Sequence, residues 1–110
     1  MGEMFDVEKL AGELELEKSD ITELLKDFAE YLAKTLPDLE LAVGSGDLKQ
    51  CRSLAHAIKG SSGNLRVQQI YDLASKMQSQ ADAANLPSLS PLCAEMKELI
   101  RKFCAEAQTL

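Results

Sequence analysis

Between Leu54 and Asn64 the chain reads LAHAIKGSSGN, a stretch that holds its single histidine and two of its six glycines. Lys59 follows His56 by three residues and Gly60 by four. That spacing gathers side chains on one flank of a helix. An imidazole can work as a base, a metal ligand or a nucleophile, and the neighbouring residue types decide among these roles.

A hydrolytic site would need a Ser or Cys nucleophile with the histidine as its base and a third group to orient the ring. Gly60-Ser61-Ser62-Gly63 does not match the G-x-S-x-G elbow, and no strand pattern precedes it. Gly44-Ser45-Gly46-Asp47-Leu48-Lys49 lacks the spacing of a phosphate-binding loop and reads as a helix terminator. Cys51, Cys93 and Cys104 are odd in number and show no C-x-x-C spacing. They read as small buried apolar side chains in a reducing compartment, and no metal site is expected. What remains is the imidazole itself as a nucleophile, with Lys59 one turn away to neutralise an incoming anion. Gly60 and Gly63, having no side chains, would let a partner's surface come close to the ring.

The position of His56 on its helix supports an outward role. At about 100° per residue, the apolar stripe centres near Cys51, Ala55, Ile58 and Ser62, and His56 lies roughly 140° from it. Lys49, Arg52, Lys59, Gly60 and Gly63 share the His56 flank, with Arg66 close behind, and no Asp or Glu occurs between Asp47 and Asp72. A chain of net charge -6 is thus expected to present a local cationic strip around one imidazole.

Helices must carry that strip. Phe5, Val7, Leu10, Ala11 and Leu14 predict a short first helix. Asp20 with Glu23 reads as a capping box opening a second helix, whose period runs from Ile21 to Val43 with a kink or break expected at Pro37. Gly44-Ser45-Gly46 should end it, and Asp47 should cap the third helix, in which Leu48, Leu54 and Leu65 join the inner stripe. Ile70, Leu73, Ala74, Met77, Ala81 and Ala84 mark a fourth helix ending near Asn85-Leu86-Pro87. Ser88 or Ser90 should cap a fifth, with Pro91 in its first turn and Leu92, Cys93, Met96, Leu99, Ile100, Phe103 and Ala107 as its stripe. At 110 residues this is one domain. The expected class is all-α, an antiparallel four-helix bundle with an additional short N-terminal helix.

Composition narrows the partners. Net negative charge argues against nucleic acid, whose phosphates call for a cationic surface. No apolar run approaches the roughly 20 residues that cross a bilayer, and no secretory leader is seen, so a cytoplasmic monomer is expected.

The segment from His56 to Leu65 (HAIKGSSGNL) resembles the signature of histidine-containing phosphotransfer (HPt) domains of phosphorelays: a His, Lys three later, Gly four later, then small residues. Phe5-Asp6, Phe28 and Gly46-Asp47 suit the same family, and the resemblance covers roughly Phe5 to Phe103. It implies that Nε2 of His56 takes a phosphoryl group from the aspartate of a receiver domain and passes it to another. It also implies roles for Lys59 and Gly60, and places Gln78, on the following helix, where family members use Gln or Glu to hold the second ring nitrogen. The implied partners are response-regulator receiver domains and hybrid sensor histidine kinases. They would engage the face of the third and fourth helices, an apolar patch rimmed by Lys49, Arg52, Lys59 and Arg66. Mg²⁺ is expected on the receiver only, with no cofactor on this chain. Without a nucleotide-binding motif, the chain is expected to carry phosphoryl groups and not to phosphorylate itself from ATP. Two departures stand out. Arg66 takes the place of the family's usual Gly ten residues after the His, which questions the turn there, and Met77-Gln78 replaces a frequent Leu-Glu. Other readings are an adaptor that docks receivers without turnover, the phosphoacceptor domain of a chemotaxis-type kinase and, more distantly, a small hydrolase.

Overall fold

The computed structural model describes residues 4–110. Over that span the chain forms five helices: α1 (Val7–Leu14), α2 (Lys18–Ser45), α3 (Leu48–Asn64), α4 (Gln68–Asp82) and α5 (Leu86–Ala107). α2 packs against α3 and α5, α4 closes the square against the same two, and α1 lies on α2. This is the expected all-α bundle, its long helices joined by short turns and therefore antiparallel to their neighbours. α2 sets the length. Its 28 residues, at about 1.5 Å each, account for the 41 Å long axis.

Side-chain period decides what is inside. The buried residues of α3 are Cys51, Ala55, Ile58 and Ser62, spaced by three and four so that they share one stripe. Those of α5 are Leu89, Cys93, Met96, Ile100, Phe103 and Ala107. Phe103 makes edge-to-face contacts with Phe28 of α2 at 5.3 Å and with Phe5 at 5.4 Å, closing the end of the core beneath α1. There the backbone N–H of Met4 donates to both carboxylate oxygens of Glu106, at 3.1 and 2.9 Å. Cys51 and Cys93 are buried and Cys104 is half-buried, all three as free thiols. Burial pushes each thiol up from its ordinary value, with the Asp47 charge adding to the effect at Cys51.

Three boundaries differ from the sequence expectation. α2 begins at Lys18 with Glu17 at its N-cap, so Asp20 does not form a capping box; its carboxylate sits in the first turn, where the helix dipole favours it. The helix then runs unbroken through Pro37. α5 begins at Leu86 after Asn85, which puts Pro87 in the first turn and Pro91 inside the helix. Ser88 does not cap α5: its hydroxyl donates to the Asn85 carbonyl at 2.8 Å and to Gln80 Oε1 at 3.0 Å. α4 ends at Asp82, so Ala84 belongs to the turn and not to the buried stripe.

One turn geometry recurs at every joint. Glu15, Gly46, Arg66 and Ala84 all have left-handed φ, at 55°, 72°, 56° and 55°. After each, the next N–H reaches back five residues: Leu16 to Ala11 at 3.0 Å, Asp47 to Ala42, Val67 to Ser62 and Asn85 to Gln80, the last three at 2.9 Å. This is the Schellman closure of a helix end. Arg66 therefore keeps the turn that a glycine would make more cheaply. Ala84 is exposed, and its methyl group is a cost in left-handed backbone of about 1 kcal/mol relative to glycine. Ala84→Gly is expected to raise the melting temperature by roughly 4–8 °C per kcal/mol gained in a domain of this size. Arg66→Gly should gain less, because it also gives up an ion pair described below. Thermal unfolding followed by circular dichroism tests both; a lower melting temperature for Ala84→Gly would contradict the cost assigned to that turn.

Candidate functional site

The antiparallel pairing of α3 with α4 builds a seam whose rungs are set by sequence spacing. At its centre, His56 Nδ1 lies 3.4 Å from Gln78 Oε1. Four residues back on α3 and four forward on α4, Arg52 pairs with Asp82. Seven residues in the other direction, Gly63 meets Tyr71. Gln78 is half-buried, while His56 stands exposed on the outer edge of the seam.

The Gln78 contact, at 3.4 Å, favours one tautomer of the ring. An amide oxygen only accepts hydrogen bonds, so the nitrogen facing it must be the one carrying hydrogen. In neutral imidazole the other nitrogen, Nε2, then holds the lone pair and points away from Gln78. That tautomer would leave Nε2, on an exposed edge of the seam, free to react.

The Gly-Ser-Ser-Gly run after Lys59 now has a residue-by-residue account. Ser62 is fully buried, and its hydroxyl is satisfied within the helix by the carbonyls of Ile58 at 2.7 Å and Lys59 at 3.1 Å. Ser61 lines a groove towards α2 with Leu14, Leu24, Phe28, Tyr31 and Leu65. Gly63 lies under Tyr71: a Cβ there would come within 3.2 Å of two ring carbons. Gly60 has no such neighbour, and a Cβ on it would meet nothing within 4 Å. The fold makes no demand for glycine at position 60.

The cationic strip is less free than its spacing along one helix implies. Arg52 is tied to Asp82, and Arg66 Nε lies 3.3 Å from Glu13 Oε1 on α1. Both pairs are well exposed, where such bridges contribute about 0–1 kcal/mol, but each places a carboxylate beside a cation expected to face a partner. Lys49 and Lys59 have no carboxylate in ion-pair range among the described residues. Lys59 Nζ lies over the Tyr71 ring, 5.8 Å from its centroid. A mainly apolar groove lies on the other flank of α3, towards α2, where Leu24 is 40% exposed and Asp27 and Asn64 also line it. Asp82, Glu13 and Tyr71 escaped the sequence reading. Asp82 was within reach of it, since stepping four residues from His56 and Gln78 along an antiparallel pair leads to Arg52 and Asp82.

Among the described residues no group of three or more His, Cys, Asp or Glu converges as a metal-binding cluster, and no helix is long and apolar enough to cross a membrane. Comparison with known proteins adds one finding: the family model described as Hpt domain matches residues 23–109, a span that contains the whole α3–α4 seam. Neither the curated proteins nor the solved structures contain a significant match to the chain.

Proposed function

Because this chain belongs to the Hpt domain family, the histidine-containing phosphotransfer module of two-component phosphorelays, we propose that His56 is its phosphoacceptor. Hpt domains are phosphoryl carriers that interact with response-regulator receiver domains and kinases. The observation that carries the assignment is exposed His56 standing with Nδ1 3.4 Å from Gln78 Oε1, an arrangement that favours Nε2 as the free nitrogen.

The step is an in-line displacement. The Nε2 lone pair forms a bond to phosphorus while the bond from phosphorus to the receiver's aspartate oxygen breaks, its electron pair returning to the carboxylate. The ring, still protonated at Nδ1 and held by Gln78, carries the resulting positive charge next to the dianionic phosphoryl group. Delivery to a second receiver reverses the sequence. Phosphoryl transfer of this kind depends mainly on positioning and charge stabilisation. Lys59 supplies the local charge, and Gly60 leaves room for the receiver above the ring. The receiver brings Mg²⁺. The groove between α2 and α3, on the flank of α3 away from α4, and the uncompensated Lys49 offer that partner further contact surface. Arg52 and Arg66, already paired within the chain, contribute less charge to it.

On this reading the chain is a cytoplasmic monomer without ATP-dependent kinase activity of its own. Three cysteines, odd in number and without paired spacing, suit a reducing compartment.

Incubation with a phosphorylated receiver should put one acid-labile, base-stable phosphate on the protein, mapped to His56 by mass spectrometry, whereas ATP alone should put none. A protein that binds the receiver but takes no phosphate would be an adaptor, and the assignment of His56 would fail.

A further inference from the structure

Lys59 follows His56 by three residues and would supply charge to the transfer, yet lysine has a flexible four-carbon stem and no intrinsic reason to hold one place. In the α3–α4 seam the two cations flanking His56 are held by different means. Arg52 is tied to the carboxylate of Asp82, which largely cancels its charge. Lys59 Nζ instead lies over the face of Tyr71, 5.8 Å from the ring centroid. An aromatic face attracts a cation through its quadrupole and adds no opposing charge. A carboxylate in the same place would hold the ammonium equally well but would repel an arriving phosphoryl group.

The ring owes its place to two features. Tyr71 precedes Gln78 by seven residues, so both project from the same face of α4 onto α3. Gly63 lets the ring settle on α3, since a Cβ there would stand 3.2 Å from Cδ2 and Cε2. Gln78 and Tyr71 thus form a matched pair on one helix, the first orienting the imidazole and the second the ammonium.

Resting on the reading of His56 as phosphoacceptor, we infer that Tyr71 is a positioning residue for phosphoryl transfer, holding the Lys59 ammonium on the α3–α4 seam through its ring. Gly63 makes this possible by admitting the ring. The hydroxyl plays no part, and the aromatic face is what matters.

The test is single-turnover transfer from a phosphorylated receiver to the full chain, combined with a double-mutant cycle. Tyr71→Leu should lower the rate at saturating receiver roughly three- to tenfold, the range expected for loss of a partly exposed cation–π contact. The receiver concentration at half-saturation should not move. Tyr71→Phe should restore most of the lost rate. Gly63→Ala, which makes the ring give by a few tenths of an ångström, should reproduce part of the loss from the other side of the contact. In a Lys59→Ala background neither Tyr71→Leu nor Gly63→Ala should slow transfer further, whereas a purely structural role would slow both backgrounds alike. An independent signature needs no turnover: the Lys59 ε-methylene protons should be shifted upfield by the ring in wild type and in Tyr71→Phe, but not in Tyr71→Leu. Additive losses in the cycle, or an unshifted Lys59, would overturn the inference about Tyr71 while leaving His56 in place. Absence of label on wild-type His56 would instead remove the reading on which it rests.

Discussion

Replacing His56 by Gln or Ala should abolish phosphoryl acceptance and leave the bundle folded. The two halves of that expectation have separate physical origins. Acceptance requires a nitrogen lone pair basic enough to attack phosphorus, and His56 is the sole imidazole of the chain. An amide or a methyl group has none, so transfer from a phosphorylated receiver should fall to background and not merely slow down. Stability, by contrast, has little at stake. His56 is exposed, and its one side-chain hydrogen-bond partner among the described residues is Gln78 at 3.4 Å, near the long limit for a hydrogen bond. Surface substitutions of this kind usually stay within about ±0.5 kcal/mol. Labelling with a phosphorylated receiver and thermal unfolding on the same samples check both halves. Residual label on another residue, or an unfolded Ala variant, would show that the imidazole is not the acceptor or not a surface group.

How far the sequence leads can be judged helix by helix. The stripe of α3 was legible because buried side chains must repeat at 3.6 residues, and its four members are the residues that periodicity selects. The outward aim of His56 follows from the same arithmetic. The start of α5 was obscured because Pro87 reads as the end of the fourth helix and Pro91 as a first-turn residue, whereas the Asn85 turn puts Pro87 in the first turn. Arg66 looked like an obstacle to the α3–α4 turn because glycine is the usual left-handed residue. The Schellman hydrogen bonds and packing on either side of Arg66 hold it at φ 56° nonetheless, as they hold Glu15 and Ala84.

The site was legible to the extent that it is built along one helix. His56, Lys59 and Gly60 lie on one strip of α3 and could be read from spacing, and the resemblance supplied Gln78. The charge state of the strip could not be read that way, since its counter-charges come from other helices, Asp82 from α4 and Glu13 from α1. Tyr71 was hidden for the same reason. Its trace in the sequence is Gly63, a second helical glycine whose purpose becomes apparent only when a ring is found lying on it.

Gly60 is the glycine that packing does not explain, and it carries the second large effect. A glycine inside a helix costs about 0.5–1 kcal/mol relative to alanine. At Gly63 the Tyr71 ring accounts for that cost, but a Cβ at Gly60 would point into open space. If the room over position 60 is kept for a receiver, the fold and the transfer reaction should respond in opposite directions to a side chain there. Gly60→Ala should raise the melting temperature and slow transfer modestly, since a methyl group adds little height. Gly60→Gln should also be at least as stable as wild type, because glutamine is a good helix former and a Cβ at position 60 meets nothing within 4 Å. Its transfer rate, however, should drop by two orders of magnitude or so, as expected when phosphorus is kept even about 1 Å from attacking distance. The loss should appear at saturating receiver as well as in binding, because the obstruction lies beside the reacting atoms and not at the rim. Single-turnover transfer and thermal unfolding of the three proteins provide the comparison. A Gln variant that is both more stable and as fast as wild type would mean that no partner approaches over Gly60, and the steric reading of this glycine would have to be abandoned.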